Sequence, residues 1–167
     1  MNTITICRQH TISCGHRVAG HESKCAYFHG HNYTIHIYLT AKTGWLDDLG
    51  RVLDFSIMKS LFCEWLETHW DHKFLMWDKD PLFNEASPVM RDSLIGVPFN
   101  PTAENMASAL LSNIFPRLLD KYAFEQSKKT RADQLAYNAV GSSCWVSRVI
   151  VEETPKCSAE AALASAR

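Results

Sequence analysis

Apolar and polar residues alternate near both ends of the chain and recur at helical spacing through its middle. In residues 3 to 18, Ile4, Ile6, Ile12, Cys14 and His16 share one parity, interrupted by Arg8 and His10. In residues 32 to 41, Tyr33, Ile35, Ile37 and Leu39 do the same. A period of two marks a strand with one buried face, so these two segments predict an antiparallel pair. Phe55, Met58, Leu61, Phe62, Trp65 and Leu66 then repeat at helical spacing, predicting a helix from an N-cap at Asp54 or Ser56 to about His69. A second helical stripe, Ala103, Met106, Ala107, Leu110, Leu111 and Ile114, opens at Pro101-Thr102 and should end or kink at Pro116. Trp145 to Thr154 reads as a last strand, with Trp145, Ser147, Val149, Val151 and Glu153 on one side. The stretch from Ala41 to Gly50 is turn-like, and residues 71 to 100, with Pro81, Pro88, Gly96 and Pro98, read as loop. Residues 125 to 142 are polar and specify no element, and the alanine-rich tail from Cys157 reads as loose or as a short helix.

Composition narrows the class without naming a function. The chain has 167 residues, 46% hydrophobic and 21% charged, which suits one globular domain with a real core. A net charge of −1 offers no basic field for nucleic acid or an anionic membrane. No apolar stretch is long enough to span a bilayer. The first residues lack the basic and apolar regions of a secretory signal. The six cysteines follow no disulfide-framework spacing and contain no Cys-x-x-Cys. Together these features predict a cytoplasmic protein with reduced thiols.

The chemistry concentrates in Cys25-Ala-Tyr-Phe-His29-Gly-His31-Asn-Tyr and in His16 upstream. His29 and His31 are two apart, so a strand points both to one face, and that face is the apolar one. His16 belongs to the inward parity of the first strand. A lone histidine such as His10, His21, His36 or His69 is more often a satisfied, part-buried side chain than a ligand. Three inward imidazoles are different, because burying them unpaired is costly and a catalytic zinc takes three protein ligands and leaves a fourth position open. Cys25 nearby can serve as nucleophile or proton carrier. Glu153 shares the parity of Val149 and Val151, so it reads either as an inward anchor for a ligand or as a strand-end carboxylate that has reached solvent.

The ordered motifs resemble those of the 6-pyruvoyl tetrahydropterin synthase family, and within it the 6-carboxytetrahydropterin synthase branch of queuosine biosynthesis. Ile12-Ser-Cys-Gly-His16-Arg resembles the first zinc-ligand segment, and Cys25 to Tyr33 is similar to the thiol-plus-HGH motif, with the short Cys25-to-His29 gap of that branch. Gly50-Arg-Val-Leu-Asp-Phe55, Trp70-Asp71-His72-Lys, Pro101-Thr102-Ala-Glu104-Asn and Val151-Glu-Glu153-Thr154 resemble later family segments in the same order. The likeness runs from about residue 3 to 155. It implies an α+β T-fold: an antiparallel four-stranded sheet with two helices on one face. Such subunits form trimers that close a barrel and stack into a homohexamer, with active sites where subunits meet. Three departures stand out: an apparent insertion at 123–143, a loose tail after 156, and Cys14-Gly15 before the first histidine.

The resemblance also implies a reaction and its residues. Zn²⁺ on His16, His29 and His31 would act on 7,8-dihydroneopterin triphosphate, giving 6-carboxy-5,6,7,8-tetrahydropterin, acetaldehyde and triphosphate. Cys25 would be the base and Asp71-His72 its partner dyad, although Asp71-His72 taken alone also reads as a helix-end ion pair. Glu153 would accept hydrogen bonds from the pterin. Thr102 and Glu104 are candidates for the same pocket, or simple helix-capping residues. Two alternatives remain open at the level of sequence: a pyruvoyl tetrahydropterin synthase, which keeps all side-chain carbons, and a non-catalytic zinc-binding module of the same fold.

Overall fold

The computed structural model describes residues 3–42, 45–128 and 144–164. Two long strands form its centre. β1 (Thr5–His16) pairs antiparallel with β2 (His29–Ala41) along its whole length, with Ile12 opposite Tyr33, Cys14 opposite His31, Gly15 opposite Gly30 and His16 opposite His29. The alternation read from the sequence holds here: Ile12, Cys14, Tyr33, Ile35, Ile37 and Leu39 are all buried. Opposite them, Thr, Ser, Asn and His side chains make cross-strand contacts, Thr5 with Thr40 at 2.9 Å and Ser13 with Asn32 at 2.9 Å.

The sheet has six strands rather than the expected four, and it is mixed. Its order is β4-β3-β1-β2-β5-β6, where β3 is Phe74–Trp77, β4 is Leu94–Val97, β5 is Cys144–Thr154 and β6 is Cys157–Ala162. β3 and β4 lie parallel to β1 and to each other, within the stretch read as loop. They are four residues each, too short for a periodic signal, and a helix (Phe83–Met90, α3) lies between them with Pro88 inside it. β6 also corrects an expectation: the tail after 156 runs as a strand against β5 rather than staying loose. Of the 123–143 segment, residues 129–143 lie outside the described residues, and 123–127 end a helix.

Two long helices cover the apolar face. The first runs from Phe55 to His69 as α1 (Phe55–Met58), a π turn (Lys59–Cys63) and α2 (Glu64–His69). Asp54 caps it by accepting the Ser56 N–H, an expected N-cap. The second comprises α4 (Ala103–Ala109), a π turn (Leu110–Ile114) and α5 (Phe115–Ser127). Pro116 does not end it, so of the two expected outcomes, an end or a kink, the end is not seen. The wide π turn comes just before this proline, and such a turn relieves the i−4 carbonyl that a proline ring would strike. Phe62 and Phe115 meet between the helices at 4.9 Å, and Met58, Leu66, Met106 and Leu110 complete the layer against Ile35, Ile37, Val149 and Val151.

β5 shows where alternation breaks. Its register against β2 shifts between Tyr38 and Leu39, so Cys144 and Val146 are buried on the same face as Val149 and Val151. Trp145 and Ser147 are therefore not inward, as parity alone had placed them. Beyond the bulge the expected register returns, with Glu152 beside His36 at 3.4 Å on the polar face and Glu153 on the other.

Candidate active site

The ends of β1 and β2 deliver three imidazoles to one point. The ring centroids of His16 and His29 are 4.4 Å apart, those of His16 and His31 5.4 Å, and those of His29 and His31 5.2 Å. Glu153 joins them from the end of β5. One ligand atom from each of the four residues lies within 4.8 Å of all the others. Strand pairing is the cause: His16 faces His29 directly, and His31 is one inward position along.

Backbone carbonyls select the tautomers. His16 Nδ1 lies 2.7 Å from the Pro101 carbonyl and His29 Nδ1 lies 2.8 Å from that of Tyr27. A carbonyl only accepts, so each Nδ1 carries the proton and each Nε2 keeps a lone pair. Burial holds the His16 imidazole below its ordinary range; the Pro101 carbonyl and Glu153 oppose this, and the imidazoles of His29 and His31 reinforce it. A neutral imidazole is the form that binds a metal.

The residues fit a zinc ion. Glu153 Oε1 lies 2.9 Å from His31 Nε2 and 3.3 Å from His16 Nε2, yet neither contact has hydrogen-bond geometry. Both nitrogens are left buried without a partner. Orphaned buried nitrogens are expensive, and a cation among them would satisfy both. The donor set, imidazole nitrogens with one carboxylate, suits Zn²⁺.

Sequence reasoning missed the floor of this cluster. Tyr33 is fully buried, and its ring meets those of His16 and His31 edge-on at 5.7 and 5.6 Å. Burial, then Glu153, raises its phenol above the ordinary value. Its parity with His29 and His31 was the available signal. The loop before α4 was also missed: Asn100 clasps Ala19 with two 2.8 Å hydrogen bonds, which holds the Pro101 carbonyl against His16.

The remaining candidates divide into two groups. Cys25 sits on a short 3₁₀ turn (Lys24–Ala26), and its carbonyl accepts from Val18 at 2.8 Å. It lines a cavity of about 260 Å³ together with His16, Thr102, Glu104 and Glu153. Thr102 also caps α4, accepting the Asn105 N–H at 3.3 Å, so its bland reading is true as well. Asp71 and His72 are elsewhere. They sit beside Ser13, along the edge of β1 away from β2, and do not line the Cys25 cavity.

This dyad is held firmly at its own position. Ser13 N–H donates to Asp71 Oδ1 at 2.8 Å, and His72 N–H donates back to the Ser13 carbonyl at 2.7 Å. Asp71 Oδ2 lies 2.7 Å from His72 Nδ1. Partial burial pushes the Asp71 carboxyl up, but the Ser13 and His72 hydrogen bonds outweigh it and hold the carboxyl below its usual range. His72 has φ of 54°, a left-handed conformation rare for side chains other than glycine. Strain of that kind persists where surrounding contacts impose it, and it clusters at functional sites. The His72 side chain is 81% exposed.

Cys14, the second thiol, is buried with its Sγ 3.4 Å from the Gly15 and Lys73 carbonyls. Burial pushes it up to about 12, so it stays a thiol near neutrality.

Comparison with known proteins shows the family. The family model described as 6-pyruvoyl tetrahydropterin synthase matches residues 5–163. The chain is 35% identical over 118 residues to the 6-carboxy-5,6,7,8-tetrahydropterin synthase of Rickettsia bellii, covering 70% of this chain and 84% of that relative. It is 30% identical over 154 residues to the enzyme of the same name from Rickettsia felis, covering 92% and 96%. Among solved structures, the 6-pyruvoyl tetrahydropterin synthase of Plasmodium vivax superposes over 96% of this chain and 98% of its own, with TM-score 0.66 and 17% identity. At that identity it speaks for the fold alone: the chain has the T-fold, here with six strands.

Proposed function

Because the chain belongs to the 6-pyruvoyl tetrahydropterin synthase family, we propose that it is a zinc-dependent, cytoplasmic 6-carboxy-5,6,7,8-tetrahydropterin synthase acting on 7,8-dihydroneopterin triphosphate in queuosine or other 7-deazapurine biosynthesis. The observation that carries the reading is the convergence of His16, His29, His31 and Glu153, with Cys25 opening on the cavity that His16 and Glu153 line. His16, His29 and His31 would hold the zinc, which would supply Lewis acidity to the hydroxylated side chain of the substrate.

The protein's own groups handle binding and protons. Cys25 is the base that takes a proton from the substrate side chain. Glu153 turns a carboxylate toward the pterin N–H groups, and Thr102 and Glu104 form the far wall. The ring gains the electrons that the side chain gives up, so no redox cofactor is required. Asp71 orients His72 through the 2.7 Å contact at Nδ1, which suits proton delivery. Because the dyad and Cys25 do not share a cavity in one subunit, the dyad completes the site of a neighbour. Among the described residues β4 and β6 are the outer strands of the sheet, and exposed edges are a reason for subunits to associate. A homohexamer built from two trimers accommodates both features.

The test is product analysis with dihydroneopterin triphosphate. Release of acetaldehyde with 6-carboxytetrahydropterin is the expected outcome. A product that keeps every side-chain carbon would make the protein a pyruvoyl tetrahydropterin synthase, and no turnover by zinc-loaded protein would leave only a binding module.

A further inference from the structure

His21 lines the same cavity of about 260 Å³ as Cys25 and Glu153, yet nothing in the proposed reaction uses it. It lies outside the group of His16, His29, His31 and Glu153 that could hold a metal. Its ring is fixed from one end, where the Ser23 N–H donates to His21 Nδ1 at 2.9 Å. A backbone N–H only donates, so Nδ1 carries the lone pair and the ring proton sits on Nε2. The Glu22 carboxylate is no rival partner, because it stands 4.0 Å from Nδ1 and its side chain is 89% exposed. His16 and His29 have the reverse arrangement, with Nδ1 protons facing carbonyls and lone pairs on Nε2. His21 therefore offers the cavity a hydrogen-bond donor where those two offer acceptors. The loop that carries it is fastened at several points. Gly20 turns the chain with a φ of 78°, and the His21 N–H donates to the Val18 carbonyl at 3.2 Å. The Val18 N–H donates in turn to the Cys25 carbonyl at 2.8 Å, and Asn100 grips Ala19 by both its N–H and its carbonyl. One residue, Val18, thus holds the imidazole and the thiol in a fixed relation.

A fixed N–H donor beside a base is suited to stabilising charge that develops on a substrate oxygen. We infer that His21 Nε2–H donates to an oxygen of the pterin substrate's side chain, the one that turns negative as Cys25 removes a proton from that side chain. The proton goes to the sulfur, the electron pair left behind spreads onto the oxygen, and His21 keeps its own proton throughout. The inference rests on the reading of Cys25 as the base and of the substrate as a pterin with an oxygenated side chain. The donor also sorts the two ends of the substrate. Glu153 and Glu104 present acceptors to the same cavity, which suit the N–H groups of the ring, and His21 presents a donor, which suits the oxygens of the side chain.

The experiment is calorimetric titration of zinc-loaded protein with pterin, which has no side chain, and with neopterin, which has the hydroxylated one, for the native chain, His21→Ala and His21→Gln. His21→Ala should lose about threefold to tenfold in neopterin affinity, the worth of one neutral hydrogen bond, and should bind pterin as the native protein does. His21→Gln, whose amide N–H reaches about as far as Nε2, should bind neopterin within about twofold of the native protein. In turnover, His21→Ala should lose on the order of a hundredfold in kcat with a much smaller change in KM, because the bond strengthens as charge develops. Both variants should keep the native zinc content. Unchanged neopterin affinity in His21→Ala would overturn the inference. An equal loss for pterin would overturn it too, by making the ring a mere wall of the cavity, as would His21→Gln behaving like His21→Ala. Loss of zinc from His21→Ala would make His21 a ligand and overturn it as well. If native protein bound neither pterin nor neopterin, the proposed function itself would fall, an outcome distinct from all of these.

Discussion

At the scale of single residues, the site separates groups that sequence position leaves side by side. Cys14 and Cys25 are both near the histidines, but only Cys25 opens on the cavity, and burial keeps Cys14 protonated. Cys25→Ala should abolish turnover and retain zinc, whereas Cys14→Ala should keep turnover; metal analysis and product assay of both variants check this. In native protein treated with iodoacetamide, Cys14 should be the slower of the two to alkylate, read by peptide mass spectrometry. His29→Ala should lose most of its zinc, because it removes one of the three imidazoles that would form the ligand set. Asp71 supplies the pH prediction. Its folded carboxyl is held below the ordinary value, so its contribution to stability is full above the unfolded carboxylate pKa of about 4 and disappears as pH falls through the folded value. The stability gap between native protein and Asp71→Asn, from urea melts, should therefore be constant from pH 7 to about 5 and close under acid. A gap that widened under acid would contradict the assignment.

At the scale of elements, the β1–β2 pair and the two helices carry different loads. The Gly15–Gly30 pairing lets the strands approach where the three histidines converge. Gly30→Ala would press a Cβ onto a backbone oxygen that cannot rotate away. It should cost about 1–3 kcal/mol in urea unfolding and weaken zinc retention, since His29 and His31 flank it. Phe62 lies fully buried against Phe115 where the helices cross the sheet. Phe62→Ala should cost about 3–5 kcal/mol while leaving the zinc content of the folded protein unchanged. Loss of zinc from folded Phe62→Ala would mean that the helix layer, not the strand pair, sets the ligand geometry.

At the scale of the whole molecule, the proposed function would tie activity to assembly, because Cys25 and Asp71-His72 do not share a cavity in one subunit. Cys25→Ala and His72→Ala should each be inactive alone. Refolded together in equal amounts, they should recover about one quarter of native activity, because a site needing one intact residue from each of two subunits forms with that chance under random mixing. No recovery would place the dyad and the thiol in one subunit's site. The same logic predicts that dilution into monomers abolishes turnover while zinc stays bound, which sedimentation and metal analysis can follow.

The sequence by itself determined that His16, His29 and His31 share inward faces, and most of the register. Strand parity placed the three histidines and left Glu153 open between an inward anchor and a strand end, and parity follows from local backbone geometry that each segment carries with it. The helix caps at Asp54 and Thr102 were legible for the same reason. Tertiary structure decided everything that depends on which distant segments meet. β3 and β4 are four-residue strands without a periodic signal, and only pairing with β1 makes them part of the sheet. The bulge in β5 sends Cys144 and Val146 inward, where alternation had put Trp145 and Ser147, because an extra residue in one strand reverses parity beyond it. The Pro101 carbonyl chooses the His16 tautomer from 85 residues away. Whether Cys25 and His72 share a cavity is likewise set by where the fold puts the 3₁₀ turn and the edge of β1, since adjacency in space comes from packing that no local pattern encodes.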